Sequence, residues 1–296
     1  MHKMRLAEIG EEQQQKEIWK LCFGDPERYI NFFFNNRYKA DETAVLLDDR
    51  EILAMLTMMP VKTVISDHHS YNTAMLYAIA TAPKYQNQGL ASKLIDYCCQ
   101  YLKPCRTEVF VLVPANLKLF DFYRKLGFRN GFYIKETQLN YSNVDTLPVY
   151  QQGECLIYPI TPEDYNRRRN HQLQGSFYIS YRDEDIVYQK KLSQLSGADI
   201  YALDIGEIEG CLAVERLSPV KVIIKEILIP ADLMTIAIKQ LVQKIPADEY
   251  VLRTHPRFGK YLEGIARPFG MIKAPEEFDE GTSSEENSGY LGLAFD

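Results

Sequence analysis

Two stretches of this chain carry residue types that could do chemistry together: Gln86-Asn87-Gln88-Gly89-Leu90-Ala91-Ser92, and Asn116 through Tyr123 to Gly127-Phe128. The first follows an apolar run over residues 75–82 and places a glycine in a short polar turn where a helix must begin. Free backbone N–H groups and the positive end of a helix dipole attract phosphate oxygens at such a place. The second puts Asn116 and Tyr123 two helical turns apart, on one face.

Both stretches need elements to hold them. Residues 3–9 alternate enough for a strand, and 11–23 form a helix with Ile18, Leu21 and Cys22 inward. Gly24-Asp25-Pro26 punctuates, with Pro26 in the first turn of a helix to residue 36 and Asp25 as its N-cap. Strands at 43–47 and 52–65 meet at a polar turn, and the unbroken apolar run 75–82 reads as a strand covered on both faces. Then come a helix at 90–102, a strand at 108–113, a helix at 115–126 ended by Gly127, and a strand at 133–140. The order β-α-α-β-β-β-α-β-α-β gives an α/β fold, a mixed sheet flanked by helices.

Residues 141–153 turn to Ser, Asn, Asp, Pro, Gln and Gly, which marks a linker, and after it the pattern restarts. A strand at 156–160 runs into Thr161-Pro162-Glu163, a helix start; strands at 198–204, 209–217 and 222–229 follow, the last ending at Pro230. A helix at 232–244, a strand at 250–254 and a weak helix at 258–266 complete a diverged internal repeat. Aligning Gly270 with Gly127 sets Gly259 opposite Asn116 and Ala266 opposite Tyr123. The second copy thereby lacks the glycine turn, the Asn and the Tyr together. The expected division is 1–140 for an active domain, 141–153 for a linker and 154–296 for a degenerate copy.

The two stretches resemble motifs of the Gcn5-related N-acetyltransferases. Gln86-Asn87-Gln88-Gly89-Leu90-Ala91 is similar to that family's Gln/Arg-x-x-Gly-x-Gly/Ala signature, and the Asn116, Tyr123, Gly127-Phe128 block to the motif that follows it. The two-copy arrangement resembles the enhanced-intracellular-survival acetyltransferases. The resemblance implies tandem acyl-CoA N-acyltransferase folds with acetyl-CoA as co-substrate. Backbone N–H groups of residues 86–92 would hold the pyrophosphate, and a side chain at Gly89 would obstruct close approach. Ile79, Ala80 and Thr81 would meet the pantetheine arm through the main chain, with one N–H as oxyanion donor. Asn116 would hydrogen-bond the pantetheine, and Tyr123 would protonate the departing thiolate, its ordinary pKa of about 10 keeping the proton in place.

The implied reaction is direct transfer of acetyl to a primary amine of a small molecule or peptide. A non-catalytic acyl-CoA-binding sensor or scaffold is the alternative. For the base that takes the amine proton the candidates are Glu108, at the start of a neighbouring strand, and Asp296, after an apolar segment; residues 76–82 contain no acid. Phe33 and Phe34 stand where the family builds its acceptor wall. His68-His69 beside Asp67 offers no ligand spacing, and the chemistry needs no metal.

Composition sets the outer bounds. The chain has 296 residues, 46% of them apolar, enough for two ordinary domains with a sizeable core. Lys and Arg balance Asp and Glu over residues 1–150 (18 against 17) and fall short over the rest (16 against 23). With no broad basic face, nucleic acid is excluded as a partner. Six cysteines without paired spacing read as reduced, and no signal peptide or membrane-length apolar run is present, so a cytoplasmic protein is expected. Homo-oligomerisation and the identity of the amine stay open.

Overall fold

The computed structural model describes residues 2–66, 69–151, 153–276, 278 and 288–295. The chain forms two compact units: Met1–Lys62, Tyr71–Arg129 and Met271–Phe278 in the first, Thr63–Ser70, Asn130–Gly270 and Asp279–Asp296 in the second. These groupings cut the chain at other places than 140 and 153. The strand after Gly127 lies with the second unit, and a short stretch from near the other end of the chain lies with the first.

The first unit runs β1 (Lys3–Leu6), α1 (Glu12–Phe23), α2 (Glu27–Asn36), β2 (Thr43–Asp48), β3 (Glu51–Ser66, to Lys62), β4 (His69–Thr81, from Tyr71), α3 (Leu90–Leu102), β5 (Val109–Leu112) and α4 (Leu117–Arg124). Its sheet has the order β1-β2-β3-β4-β5, and residues 271–273 pair antiparallel with β5, Met271 opposite Leu112. The inward residues of β2, β3 and β4, including Leu46, Leu56 and Leu76, close one core with Leu90, Leu94 and Cys98 of α3 and with Phe120 and Tyr123 of α4. Up to α4 this is the expected element order, and the strand expected at 133–140 falls with the second unit.

Two local expectations fail at α1 and α2. The buried stripe of α1 is Gln15, Ile18 and Trp19, while Leu21 is 66% exposed. Trp19 wins the inward position because its indole packs on Phe33 and Tyr77 and donates its N–H to Asp25 Oδ2 at 2.7 Å. Asp25 is therefore spent on Trp19 and does not cap α2, whose N-cap is Pro26 at φ −64°. Proline suits that place because it brings no N–H that would need a partner.

The second unit contains residues 130–140 of β6 (Arg129–Asn140), α5 (Tyr141–Val144), β7 (Cys155–Pro159), α6 (Pro162–Gln172), β8 (Tyr178–Ser180), α7 (Asp183–Leu195), β9 (Ile200–Ile205), β10 (Ile208–Ser218), β11 (Lys221–Leu228), α8 (Met234–Lys244), β12 (Glu249–Thr254) and residues 265–270 of β13 (Ile265–Lys273). Its strand order β7-β9-β10-β11-β12 repeats that of the first unit, and β6 lies antiparallel beside β12. Thr161 caps α6 as its sequence announced, its hydroxyl accepting from Asp164 N at 3.2 Å. The weak helix at 258–266 does not form: residues 256–261 are turns and Ile265 opens β13. Ala266 is thus a strand residue, and setting it opposite the helical Tyr123 does not hold structurally.

The repeat is visible in an irregularity that both copies keep. Ala78 on β4 has φ +50°, a left-handed conformation that alanine adopts only under constraint. On β11 the register with β10 slips between Glu226 and Ile224, leaving Lys225 as the extra residue of a bulge. Counted back from Pro83 and Pro230, Ala78 and Lys225 stand at the same place, five residues before the proline.

A buried ion pair anchors the second unit. Arg169 Nε donates to Glu226 Oε1 at 3.0 Å with both side chains fully buried, and the Tyr165 hydroxyl donates to the same oxygen at 2.7 Å. The remaining guanidinium N–H groups reach Ile179 O at 2.7 Å and Leu291 O at 3.2 Å, and Tyr181 also donates to Leu291 O. Gly292, at φ +66°, passes so close to Glu226 Oε2 that a Cβ would collide with it.

Candidate active site

The site begins where β4 and β5 part. They pair in parallel only from Thr73 opposite Val109 to Met75 opposite Val111, and the left-handed residue Ala78 follows. Past Met75 one edge of β4 runs without β5. Ala82 N–H donates to Leu53 O on β3 at 2.9 Å, so by strand alternation Ala80 also faces β3, while Ile79 and Thr81 face the open edge. Of the three residues expected to meet a ligand through the main chain, Ala80 is turned to β3. Thr81 O is also engaged, accepting from Gln86 Nε2 at 3.1 Å and Cys22 Sγ at 3.2 Å. The N–H groups of Ile79 and Thr81 and the carbonyl of Ile79 remain on that edge.

The turn after β4 is built for an anion. Asn87 (φ +61°) and Gly89 (φ +72°) are both left-handed, and Gly89 is the N-cap of α3 without a side-chain cap. The N–H groups of Leu90, Ala91 and Ser92 fall in the first turn, where no carbonyl of the helix can reach them. Gln86, Asn87, Gln88 and Gly89 are exposed, whereas the side chain of Leu90 is core, so Leu90 can contribute only its backbone. A Cβ at Gly89 would meet no atom within 4 Å. Within the protein, then, glycine is required by its backbone angle rather than by crowding. Tyr85 OH and Lys84 Nζ both bond the Glu51 carboxylate, at 2.8 and 2.5 Å, and moor the turn to the start of β3.

Asn116 caps α4. Its Oδ1 accepts from Lys118 N at 3.1 Å and Leu119 N at 3.3 Å, which leaves the Nδ2 donor for a ligand. Tyr123 lies on the same helix, 6% exposed, its ring edge-on to Phe122 and Phe128. Burial alone pushes its hydroxyl pKa up to about 12. Ile79 packs against the apolar cluster that contains Tyr123 and Leu90, which brings the open edge, the turn and the phenol together.

The remaining candidates separate. Glu108 is exposed, its N–H directed to Asn72 O at 3.4 Å, at the start of β5. Ile79 stands seven residues beyond Asn72, about 23 Å at about 3.3 Å per strand residue. No glutamate side chain spans that, so Glu108 is not the base. Asp296 lies outside the described residues, as do Asp67 and His68. Phe33 is fully buried between Trp19 and Tyr77 and is core, not an acceptor contact. Phe34 is half-buried, stacked on Tyr38 at 4.7 Å. Sequence reasoning missed Tyr77 and Tyr29, both half-buried, with hydroxyls 3.4 Å apart, Tyr77 standing next to the left-handed Ala78. Tyr77 was the one phenol inside the apolar run 75–82 and could have been singled out for that.

Acetyl-CoA suits these residues. The space beside Gly89 is open, and Thr81 Oγ1 is buried with no hydrogen-bond partner among the described residues, a state that costs about 1–3 kcal/mol until something bonds it. In the second unit the corresponding place is built differently. Pro230-Ala231-Asp232-Leu233 runs directly into α8, and Gln151 donates to the Asp232 carboxylate. A cavity of about 500 Å³ there is lined in part by Glu154, Asp204 and Leu233.

Comparison with known proteins agrees with this geometry. Residues 3–131 match the family described as an acetyltransferase (GNAT) domain. A GCN5-related N-acetyltransferase from Anabaena variabilis superposes with a TM-score of 0.69 at 18% identity, covering 92% of this chain and 72% of its own. A probable N-acyltransferase from Enterococcus faecalis gives 0.70 at 12% identity, over 93% and 73%. Eis1 from Mycobacterium abscessus gives 0.67 at 8%, over 92% and 73%. At these identities the superpositions establish the shared fold. A search of curated protein sequences finds no match. Residues 3–131 are thus similar to a GNAT acetyltransferase domain, and over the rest of the chain the likeness is one of fold. Among the described residues no helix is long and apolar enough to cross a membrane.

Proposed function

We propose that the first unit transfers acetyl from acetyl-CoA directly to a primary amine of a small molecule or peptide. The observation that carries this reading is the convergence of the open β4 edge, the left-handed turn at Gly89 and buried Tyr123 in one unit. The turn and first-turn N–H groups hold the pyrophosphate, and Ile79 and Thr81 hold the pantetheine arm as an added strand. The amine attacks the thioester carbonyl, an N–H of the open edge stabilises the oxyanion, and the tetrahedral intermediate collapses with the C–S bond breaking. Tyr123 gives its proton to the sulfur, and the proton lost by the attacking nitrogen passes to solvent, from which the tyrosinate is reprotonated, so none is gained or lost overall.

A phenol raised to about 12 is a weak acid beside a thiol of about 8.5 in water. The same apolar surroundings act on sulfur as well: burial pushes the thiol of Cys99, in the same cluster, up to about 11. Desolvation of both anions narrows the gap that the proton must cross. The second unit, with its acidic cavity and without the turn, takes no part in binding acetyl-CoA.

Release of thiol from acetyl-CoA, followed over a panel of amines, tests the reading. Tyr123→Phe should lower kcat about 10²–10⁴-fold, with acetyl-CoA affinity by calorimetry unchanged. Equal turnover by Tyr123→Phe removes Tyr123 from the mechanism. Acetyl-CoA binding without turnover of any amine supports a sensor instead.

A further inference from the structure

The carbonyl of Thr81 takes donors from two different elements, Gln86 Nε2 from the turn at 3.1 Å and Cys22 Sγ from the last turn of α1 at 3.2 Å. A carbonyl oxygen has two lone pairs and can accept both. At the other pole of the same trans peptide unit, Ala82 N–H donates to Leu53 O at 2.9 Å. One peptide unit is therefore fastened from three sides where β4 ends and the turn begins. We propose that Gln86 and Cys22 are positioning residues which, acting together through the Thr81 carbonyl, hold the open edge of β4 in the extended form that receives the pantetheine arm.

The inference rests on reading the first unit as the acetyl-CoA site, and it changes what Gln86 does there. In a strand the N–H and C=O of one residue point to the same edge, so holding Thr81 O fixes the direction of Thr81 N–H. Gln86 contributes by that route, and its amide is not a phosphate ligand. Cys22 extends the clasp to α1. Burial holds its thiol above the usual pKa, so the sulfur keeps the proton it donates. A disturbance of α1 thereby reaches the strand edge through a single oxygen.

The test is a double-mutant cycle on acetyl-CoA affinity, with amide hydrogen exchange at Ala82 followed by NMR in the ligand-free protein. Gln86→Ala and Cys22→Ala should each weaken acetyl-CoA binding about fivefold, the size of one net hydrogen bond, and speed exchange at Ala82. Cys22→Ser, which retains a donor, should restore both. Because both side chains act through one acceptor, the double variant should depart from the product of the single effects. Strictly multiplicative losses with unchanged Ala82 exchange overturn the clasp and make Gln86 a direct ligand. A wild-type protein that binds no acetyl-CoA defeats the acetyltransferase reading instead, and the exchange measurement still decides whether the clasp exists.

Discussion

Asn116 has two ends with two different tasks. Its Oδ1 caps α4, which any short acceptor side chain could do, whereas Nδ2 is a donor that only an amide supplies. Substitution separates the tasks. Asn116→Ala should lose about 1 kcal/mol of stability in urea unfolding. Asn116→Asp should keep the cap and lose acetyl-CoA affinity; unchanged affinity would confine the residue to capping. The turn at Gly89 and the places of Asn116 and Tyr123 on α4 were legible because each is tied to a local signal, a turn or a helix period. Trp19 was not, because its inward place depends on Asp25, Phe33 and Tyr77, contacts that no local window contains.

At the scale of elements, the left-handed turn of the backbone at Ala78 matters more on β4 than any side chain upon it. Ala78 sits at φ +50° and the pairing with β5 has already ended at Met75, so the left-handed residue marks where β4 leaves an edge that β5 no longer covers. Ala78→Val should cost about 1–2 kcal/mol, since a β-branched residue resists the left-handed region, while Ala78→Gly should not destabilise. Denaturant midpoints of the two variants check this. Most strands could be read from apolar runs, but α7 was passed over. Its buried residues include Asp185, Gln189 and Ser193 among Ile186, Tyr188 and Leu192, so polar side chains occupy the face that a periodicity search expects to be apolar. The turn at 256–261 was misread for the converse reason, apolar Phe258 and Leu262 imitating a helix face.

At the scale of the whole molecule, two buried polar centres of the second unit give stability predictions. Glu226→Gln should destabilise by about 3–5 kcal/mol, because it leaves the Arg169 charge buried and uncompensated. Replacing both by apolar residues of similar volume should recover much of that, as thermal unfolding would show. The second centre is His255, 5% exposed, whose Nδ1 accepts from Arg257 N at 3.2 Å while Nε2 donates to Ser288 O at 3.0 Å. Burial lowers its pKa to about 4 from an ordinary 6.5. The unfolded chain then binds the proton more readily than the native one, so stability rises with pH between those values and is lost as pH falls from about 6.5 toward 4. The full swing is about 3 kcal/mol at about 1.4 kcal/mol per pKa step. His255→Gln should flatten that slope, and an unchanged pH profile would place the acid sensitivity elsewhere.

The pairing of residues 271–273 with β5 also has a consequence in time. Leu112 waits for Met271, about 160 residues later in the chain. At about 5–20 residues per second, a ribosome needs on the order of 10 s or more to deliver it. Throughout that interval β5 presents a nascent edge with no neighbour on that side, open to pairing with another chain. Completion of the first unit's sheet is thus tied to synthesis of nearly the whole second copy, which governs when the first unit is finished.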